Sequence, residues 1–304
     1  MRAPEGVLVV DKPAGPTSHD IVEAARRYTA GLRVGHTGTL DPFATGVLAL
    51  CIGRATRLSR FLTASRKTYD GVIQLGTVTD TYDLLGRTMA ELPVPALAID
   101  EVRQAASRLT GTMMQTPPPY SARKVRGRPM HRWAREGRVV EARPTPVTVH
   151  RFDIVEMTGS RARFEMETTS GTYVRSLAHD LGAALGCGAC LAQLRRVANG
   201  SIRIADAHTM EEVERRGHDG TLREIVIPLE RIDLGLPSVT TTSEGLAAMK
   251  RGRPLGSRDY ASASPSTDGP VRVEDLEGNL LGIAVPAHDA RGDAVLRPHI
   301  VLVS

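Results

Sequence analysis

The stretch Gly35-His36-Thr37-Gly38-Thr39-Leu40-Asp41-Pro42-Phe43-Ala44-Thr45-Gly46 decides how the rest of the chain is read. Three glycines, one proline and four threonine or histidine residues make it a poor helix and a poor strand, so a shaped loop is expected. Gly35, Gly38 and Gly46 permit positive φ and close backbone approach, and Pro42 fixes φ one residue after Asp41. A residue before proline is pushed out of the α region, so one carboxylate is held extended at the centre of the loop. The apolar run 47–52 follows as a buried strand. Two readings stand at this point: an Asx-type turn entering a strand, or a loop that presents a carboxylate for chemistry.

Upstream, the apolar run 6–10 ends in the turn Asp11-Lys12-Pro13-Ala14-Gly15-Pro16. Thr17 and Ser18 then cap a helix with Ile21, Val22, Ala25 and Tyr28 at helical spacing. Downstream, residues 54–64 predict an amphipathic helix with Leu58, Phe61 and Leu62 on one face. Residues 67–75 predict a strand with Tyr69, Ile73 and Leu75 on one face, its alternation blurred by Gly71 and Val72. A helix over 100–109 closes near Gly111, and 162–168 alternate as a half-exposed strand. Gly171-Thr172 opens a helix whose buried stripe is Val174, Leu177, Ala178, Leu181 and Leu185. Past residue 235 the texture changes to a capped helix at 243–251 and short strands near 271–273, 280–285 and 294–303, with a Ser- and Pro-rich loop at 262–269. The fold class is therefore α+β with a small, mostly β appendage.

The chain has 304 residues, 24% of them charged, with a formal net charge of +5. That length leaves room for two domains, and the mildly basic balance permits a polyanionic partner. Three cysteines, Cys51, Cys187 and Cys190, give no disulfide framework and fit a reducing cytoplasm. The apolar run at the N-terminus is too short for a signal peptide or a membrane span. No phosphate-cradling, dinucleotide, HExxH or GxSxG motif occurs, which removes the commonest nucleotide, zinc and serine-hydrolase readings. Cys187-Gly-Ala-Cys190 has metal-like spacing but no second pair to complete a site, so it reads as small residues at a tight turn.

Arg175 breaks a local rule. It falls in the first turn of its helix, where the macrodipole disfavours cations, so either a carboxylate or phosphate compensates it or it lies in solvent. Tyr69 is either a core aromatic or a ring lining a pocket for a base, and Tyr173 is open to the same two readings. Residues 116–146 form a proline-bounded basic insertion. Arg123, Lys124, Arg126, Arg128, Arg132, Arg135 and Arg138 stand there against Glu136, with Tyr120 and Trp133 among them. That is a solvated face or an RNA contact.

Several separated motifs carry a resemblance. They are Val10-Asp11-Lys12-Pro13 with Gly15 and Thr17-Ser18; the 35–46 loop; Lys67-Thr68-Tyr69; and Thr79-Asp80-Thr81 with Asp83 and Gly86. Tyr120-Ser121-Ala122 with Lys124, Gly171-Thr172-Tyr173-Val174-Arg175 with Asp180-Leu181-Gly182, and Leu194-Arg195-Arg196 complete the set. In this order the chain resembles the TruB family of tRNA pseudouridine synthases over residues 6 to about 230. The resemblance implies isomerisation of the uridine at position 55 in the T loop of tRNA. It implies a pseudouridine synthase fold with a curved, largely antiparallel central sheet flanked by helices, and a need for no cofactor or metal. It makes Asp41 the catalytic aspartate, Arg175 its partner and Tyr69 the ring packed on the target uracil. Tyr173 and Leu194 line the base pocket, and His36 enters the T loop. Residues 1–235 would form the catalytic domain, with 116–146 clamping the T arm of tRNA, and 236–304 a PUA-like RNA-binding domain. A cytoplasmic monomer is expected. The competing classes are an RNA-binding protein in which Asp41 is a turn residue, and a glycosidase that releases uracil. The second would need paired carboxylates, and no second candidate stands beside Asp41 in the sequence.

Overall fold

The computed structural model describes residues 4–138, 140, 142–261 and 269–303. All of the Ser- and Pro-rich loop except Gly269, and Val139 and Glu141 of the insertion, lie outside the described residues. Ten strands make one sheet. Its main path runs Val226–Pro228, Gly6–Lys12, Thr45–Ile52, Ala189–Asn199, Lys67–Leu75, Arg161–Thr168, Thr145–Thr158 and Gly111–Gln115. Every neighbouring pair on that path is antiparallel except Thr45–Ile52 with Ala189–Asn199. The fold is thus α+β with a largely antiparallel sheet, as expected.

The continuous apolar runs at 6–10 and 47–52 have a direct cause: these two strands are buried on both faces. Val7, Val9, Val47, Ala49 and Cys51 pack on one side, and Leu8, Val10, Leu48 and Leu50 on the other. The second side is covered by Ile21, Val22 and Ala25 of the helix Ser18–Arg26, whose N-terminus is a Thr17–Asp20 capping box. The first side is covered partly by Leu280, Ile283 and Ile300 of a separate four-stranded sheet, Ser238–Thr240, Val271–Glu274, Leu280–His288 and Ala294–Val301, and by Leu302 just after it. The appendage therefore shares its core with the larger sheet, which offsets its small size.

The blurred alternation at Gly71 resolves as full alternation, because Lys67, Tyr69, Gly71, Ile73 and Leu75 all face inward. A Cβ at Gly71 would sit 2.6 Å from the Phe164 ring and 2.6 Å from the Gln193 carbonyl, so the glycine makes room for the ring. The 54–64 segment departs from the expected single helix: it splits into a 3₁₀ turn, Gly53–Leu58, and a short α-helix, Ser59–Ala64. Gly111 does not serve as the helix cap. The helix Ile99–Ser107 ends at Arg108, and Gly111 starts the edge strand Gly111–Gln115 at φ 92°.

In the decisive loop, Gly38 and Gly46 take positive φ (142° and 98°), whereas Gly35 does not and lies in the strand Val34–His36 with open space around it. The strand after the loop begins at Thr45. Gly46 sits opposite Arg196 in the parallel pair, and a Cβ there would lie 2.2 Å from the Arg196 carbonyl. Gly46→Ala combines left-handed strain of ~1–3 kcal/mol with overpacking of ~1–3 kcal/mol. At ~2–4 °C per kcal/mol, thermal unfolding should fall by roughly 4–24 °C. A midpoint within ~2 °C of the native value would show that the two strands separate freely here.

Candidate active site

Side chains from three other elements hold the Asp41 loop. Lys12, fully buried at the end of Gly6–Lys12, spends its ammonium on the carbonyls of Pro13 (2.9 Å), Pro42 (3.1 Å) and Ala44 (2.8 Å). Ser18 Oγ donates to the Leu40 carbonyl (3.0 Å) and accepts from the Leu40 N–H (2.8 Å). Arg196, 1% exposed, donates to the carbonyls of Val47 (2.7 Å) and Gly38 (3.0 Å), and Asn199 donates to Thr37 Oγ1 (3.0 Å). Burial lowers Lys12 to about 8 against the opposing pull of Asp41, and lowers Lys67 to about 8 with Arg196 beside it. Lys12 and Arg196 order the loop's carbonyls, a charge-assisted arrangement stronger than neutral hydrogen bonds, while Lys67 donates instead to the carbonyls of Thr63 and Ser65.

The loop leaves the Asp41 side chain 35% exposed, while Arg175 is 5% exposed. Arg175 is the second residue of the helix Val174–Ala184, whose first turn carries no acidic residue of its own. Its Nε donates to Asp41 Oδ2 at 2.8 Å and its Nη2 to Oδ1 at 3.2 Å, a fork onto one carboxylate. The remaining donors reach the carbonyls of Thr81 and Tyr120, both at 2.8 Å. Of the two readings of Arg175, the compensated one holds: Asp41 and these carbonyls offset the unfavourable dipole.

Asp41, Arg175, Tyr69, His36, Tyr173 and Leu194 line one cavity of about 430 Å³. That volume lies within the ~300–1,000 Å³ usual for ligand sites. Tyr69 belongs to the core cluster and also forms part of the cavity wall. Burial raises its phenol above the ordinary tyrosine range, with the Arg196 guanidinium opposing. His36 Nδ1 accepts the Gly38 N–H (3.3 Å), and burial lowers the pKa of the ring, so the imidazole is neutral.

The basic insertion holds a two-rung hairpin, Lys124–Val125 with Arg128–Pro129, and the helix Met130–Arg135. It ends before 145, because Thr145 and Pro146 already belong to the long strand Thr145–Thr158. Trp133 lies between the guanidiniums of Arg128 and Arg138, each 4.7 Å from its ring, and Arg128 also pairs with Glu136. Arg123, Lys124, Arg126, Arg132, Arg135 and Arg138 are exposed. A larger cavity of about 600 Å³ beneath the insertion, lined by Tyr82, Tyr120 and Met130, contains none of the six site residues.

Sequence reasoning passed over Arg196, Lys12 and Asp83. Lys12 and Arg196 sat in the quoted motifs without a role. The strand Ala189–Asn199 went unread because a register shift between Leu191 and Gln193 resets its alternation, turning Leu194 and Arg196 inward together. Asp83 is a second carboxylate near the pair, 3.4 Å from Arg175 Nη1. It is buried, takes a bond from Thr81 Oγ1 (2.8 Å) and is absent from the cavity wall. It is therefore not a paired acid for substrate. Cys187 and Cys190 are buried free thiols, and among the described residues no group of three or more His, Cys, Asp or Glu residues could hold a metal ion. Among the described residues, no helix is long and apolar enough to cross a membrane.

Two family models match in succession. "TruB family pseudouridylate synthase (N terminal domain)" covers residues 26–174, and "tRNA pseudouridylate synthase B C-terminal domain" covers 175–232. The chain is 39% identical over 279 residues to the tRNA pseudouridine synthase B of Solibacter usitatus, covering 92% of this chain and 94% of that one. It is 39% identical to the enzyme of that name from Geobacillus thermodenitrificans, covering 97% of this chain and 98% of the other. Its fold matches one chain of an H/ACA ribonucleoprotein bound to a substrate RNA containing 2′-deoxyuridine. That match has a TM-score of 0.76 at 23% identity, over 98% of this chain and 85% of the other. The protein is an isomerase of the pseudouridylate synthase class. Within that class, the chain belongs to the TruB family.

Proposed function

We propose that this enzyme isomerises the uridine at position 55 in the T loop of tRNA, with Asp41 as the catalytic carboxylate. The observation that carries the reading is the forked Asp41–Arg175 pair, in which a buried cation holds a partly exposed carboxylate at the wall of an aromatic-lined cavity. The reaction cuts the N1–C1′ bond and rejoins C5 of the same base to the ribose. Reaching that junction requires a base extruded from its stack and enclosed. Arg175 forks onto both oxygens of Asp41 and orients it toward the sugar–base junction, where it attacks C1′, attacks C6 or promotes a ribose proton loss leading to a glycal.

Tyr69, Tyr173 and Leu194 supply walls for the uracil. The raised pKa of Tyr69 keeps it a neutral phenol, so its part is to pack on the ring. His36, one of the residues that line the cavity, would enter the space left by the flipped base. The six exposed cations of the insertion would neutralise phosphates of the T arm. Residues 1–235 would act as the catalytic domain and 236–304 as a PUA-like RNA-binding domain on the same chain, working as a monomer in the cytoplasm. The relatives named tRNA pseudouridine synthase B support tRNA as substrate.

The direct test is incubation with unmodified tRNA transcript, followed by chemical mapping of pseudouridine. One new pseudouridine in the T loop at position 55 is expected. Modification only at other positions would refute the site assignment, and release of free uracil would refute the reaction.

A further inference from the structure

Residue 115 ends the edge strand Gly111–Gln115, and its side chain leaves the sheet. Gln115 is 4% exposed. Its Oε1 accepts the Tyr173 N–H at 2.8 Å and its Nε2 donates to the Tyr173 carbonyl at 3.0 Å. One carboxamide thus pairs with both polar groups of one residue, as a neighbouring peptide would in a β-ladder. Tyr173 is extended (φ −95°, ψ 103°) and is the N-cap of the helix that carries Arg175, yet its side chain makes no capping bond. The direction in which that helix starts is fixed from outside, by Gln115.

We propose that Gln115 is a positioning residue for the isomerisation, its amide setting the Tyr173 backbone and thereby the register in which Arg175 meets Asp41. The proposal rests on the roles given above to Asp41 and Arg175. Two more ties follow along the same stretch: the Thr116 carbonyl accepts from Ser176 Oγ (3.3 Å), and the Tyr120 carbonyl accepts from Arg175 Nη2 (2.8 Å). Between them Pro117, Pro118 and Pro119 have fixed φ and no N–H, so the segment cannot slide into an alternative ladder. The chain that opens the basic insertion is therefore fastened at one end to the Tyr173 backbone and at the other to the guanidinium. A misplacement of ~1 Å in a reacting constellation can cost ~10²-fold in rate, so the fork is sensitive to this support.

The test uses the full chain with unmodified tRNA under single-turnover conditions. Gln115→Met keeps length and bulk but removes both bonds, and its rate should fall about 10- to 100-fold with tRNA affinity within about threefold of native. In the Arg175→Lys background the same change should cost less than about threefold, because residues acting as one unit are not additive. Gln115→Glu supplies a pH signature that a merely structural role would not produce. Ionised, it repels the Tyr173 carbonyl; protonated, it offers one donor and one acceptor in nearly the geometry of the amide. Burial raises such a carboxyl, so its rate relative to native should recover as pH falls from about 8 to about 6.

A Gln115→Met rate within about twofold of native would overturn the proposal. So would an equal loss in the Arg175→Lys background, or a Gln115→Glu profile parallel to the native one. Asp41→Asn is assayed alongside: an active Asp41→Asn protein overturns the site reading and this proposal with it, whereas an inactive one with an unaffected Gln115→Met overturns this proposal alone.

Discussion

Asp41→Asn is expected to bind tRNA with near-native affinity and to form pseudouridine at least ~10⁴-fold more slowly, the scale of removing an essential nucleophile. The competing explanation of such a loss would be collapse of the loop, and the structure argues against it. The loop is held by Lys12, Ser18, Arg196 and Asn199, none of which bonds the Asp41 carboxylate. Nor does the substitution strand the buried guanidinium. Asp83 remains 3.4 Å from it, and the Thr81 and Tyr120 carbonyls keep accepting from it. The structural cost is thus one weakened fork, ~1–3 kcal/mol, whereas a 10⁴-fold rate loss corresponds to ~5.5 kcal/mol of barrier. Chemical mapping gives the rate, and filter binding with thermal unfolding gives the controls. Turnover above ~1% of native would remove Asp41 from the chemistry.

Arg175→Lys should leave a folded, tRNA-binding protein that turns over ~10²–10³-fold more slowly. Lysine keeps the charge but not the planar fork, so it satisfies one carboxylate oxygen where arginine satisfies two. One ammonium cannot also reach both the Thr81 and Tyr120 carbonyls in the arginine's geometry. A loss of ~10²–10³-fold corresponds to ~3–4 kcal/mol of barrier, the scale on which misplacing a reacting group is felt. Affinity for tRNA should change less than ~3-fold, because Arg175 is 5% exposed and its donors are spent on Asp41 and on the Thr81 and Tyr120 carbonyls rather than on the exposed surface. Near-native turnover would show that charge alone, without the fork, orients Asp41.

Much of the site was legible in the sequence because its anomalies are local. A glycine-rich loop around an Asp-Pro step and an arginine set against its helix dipole can each be seen within a few residues. So can apolar runs too continuous for one-sided strands. Errors arose where local rules gave way to packing. Gly35 was read with Gly38 and Gly46, but only the latter two need positive φ, and only Gly46 meets another strand's backbone at close range. The segment at 54–64 kept its apolar face while its backbone tightened to a 3₁₀ turn at the start.

The sequence by itself determined that Asp41 would be held in a shaped loop, that Arg175 stands against its helix dipole, and that the apolar runs at 6–10 and 47–52 would be strands, the second of them buried. The resemblance named Asp41 as the partner of Arg175 and set Tyr69 and Leu194 beside the base; tertiary structure alone decided the forked geometry of that pair, and that Arg196, Lys12 and Gln115 support the arrangement from behind. The physical reason is that helical and strand periods report which face of one element is buried, not what it is buried against. That partner is set by sheet order, which brings 45–46 beside 195–196, and by a register shift near 191–193 that turns Arg196 inward.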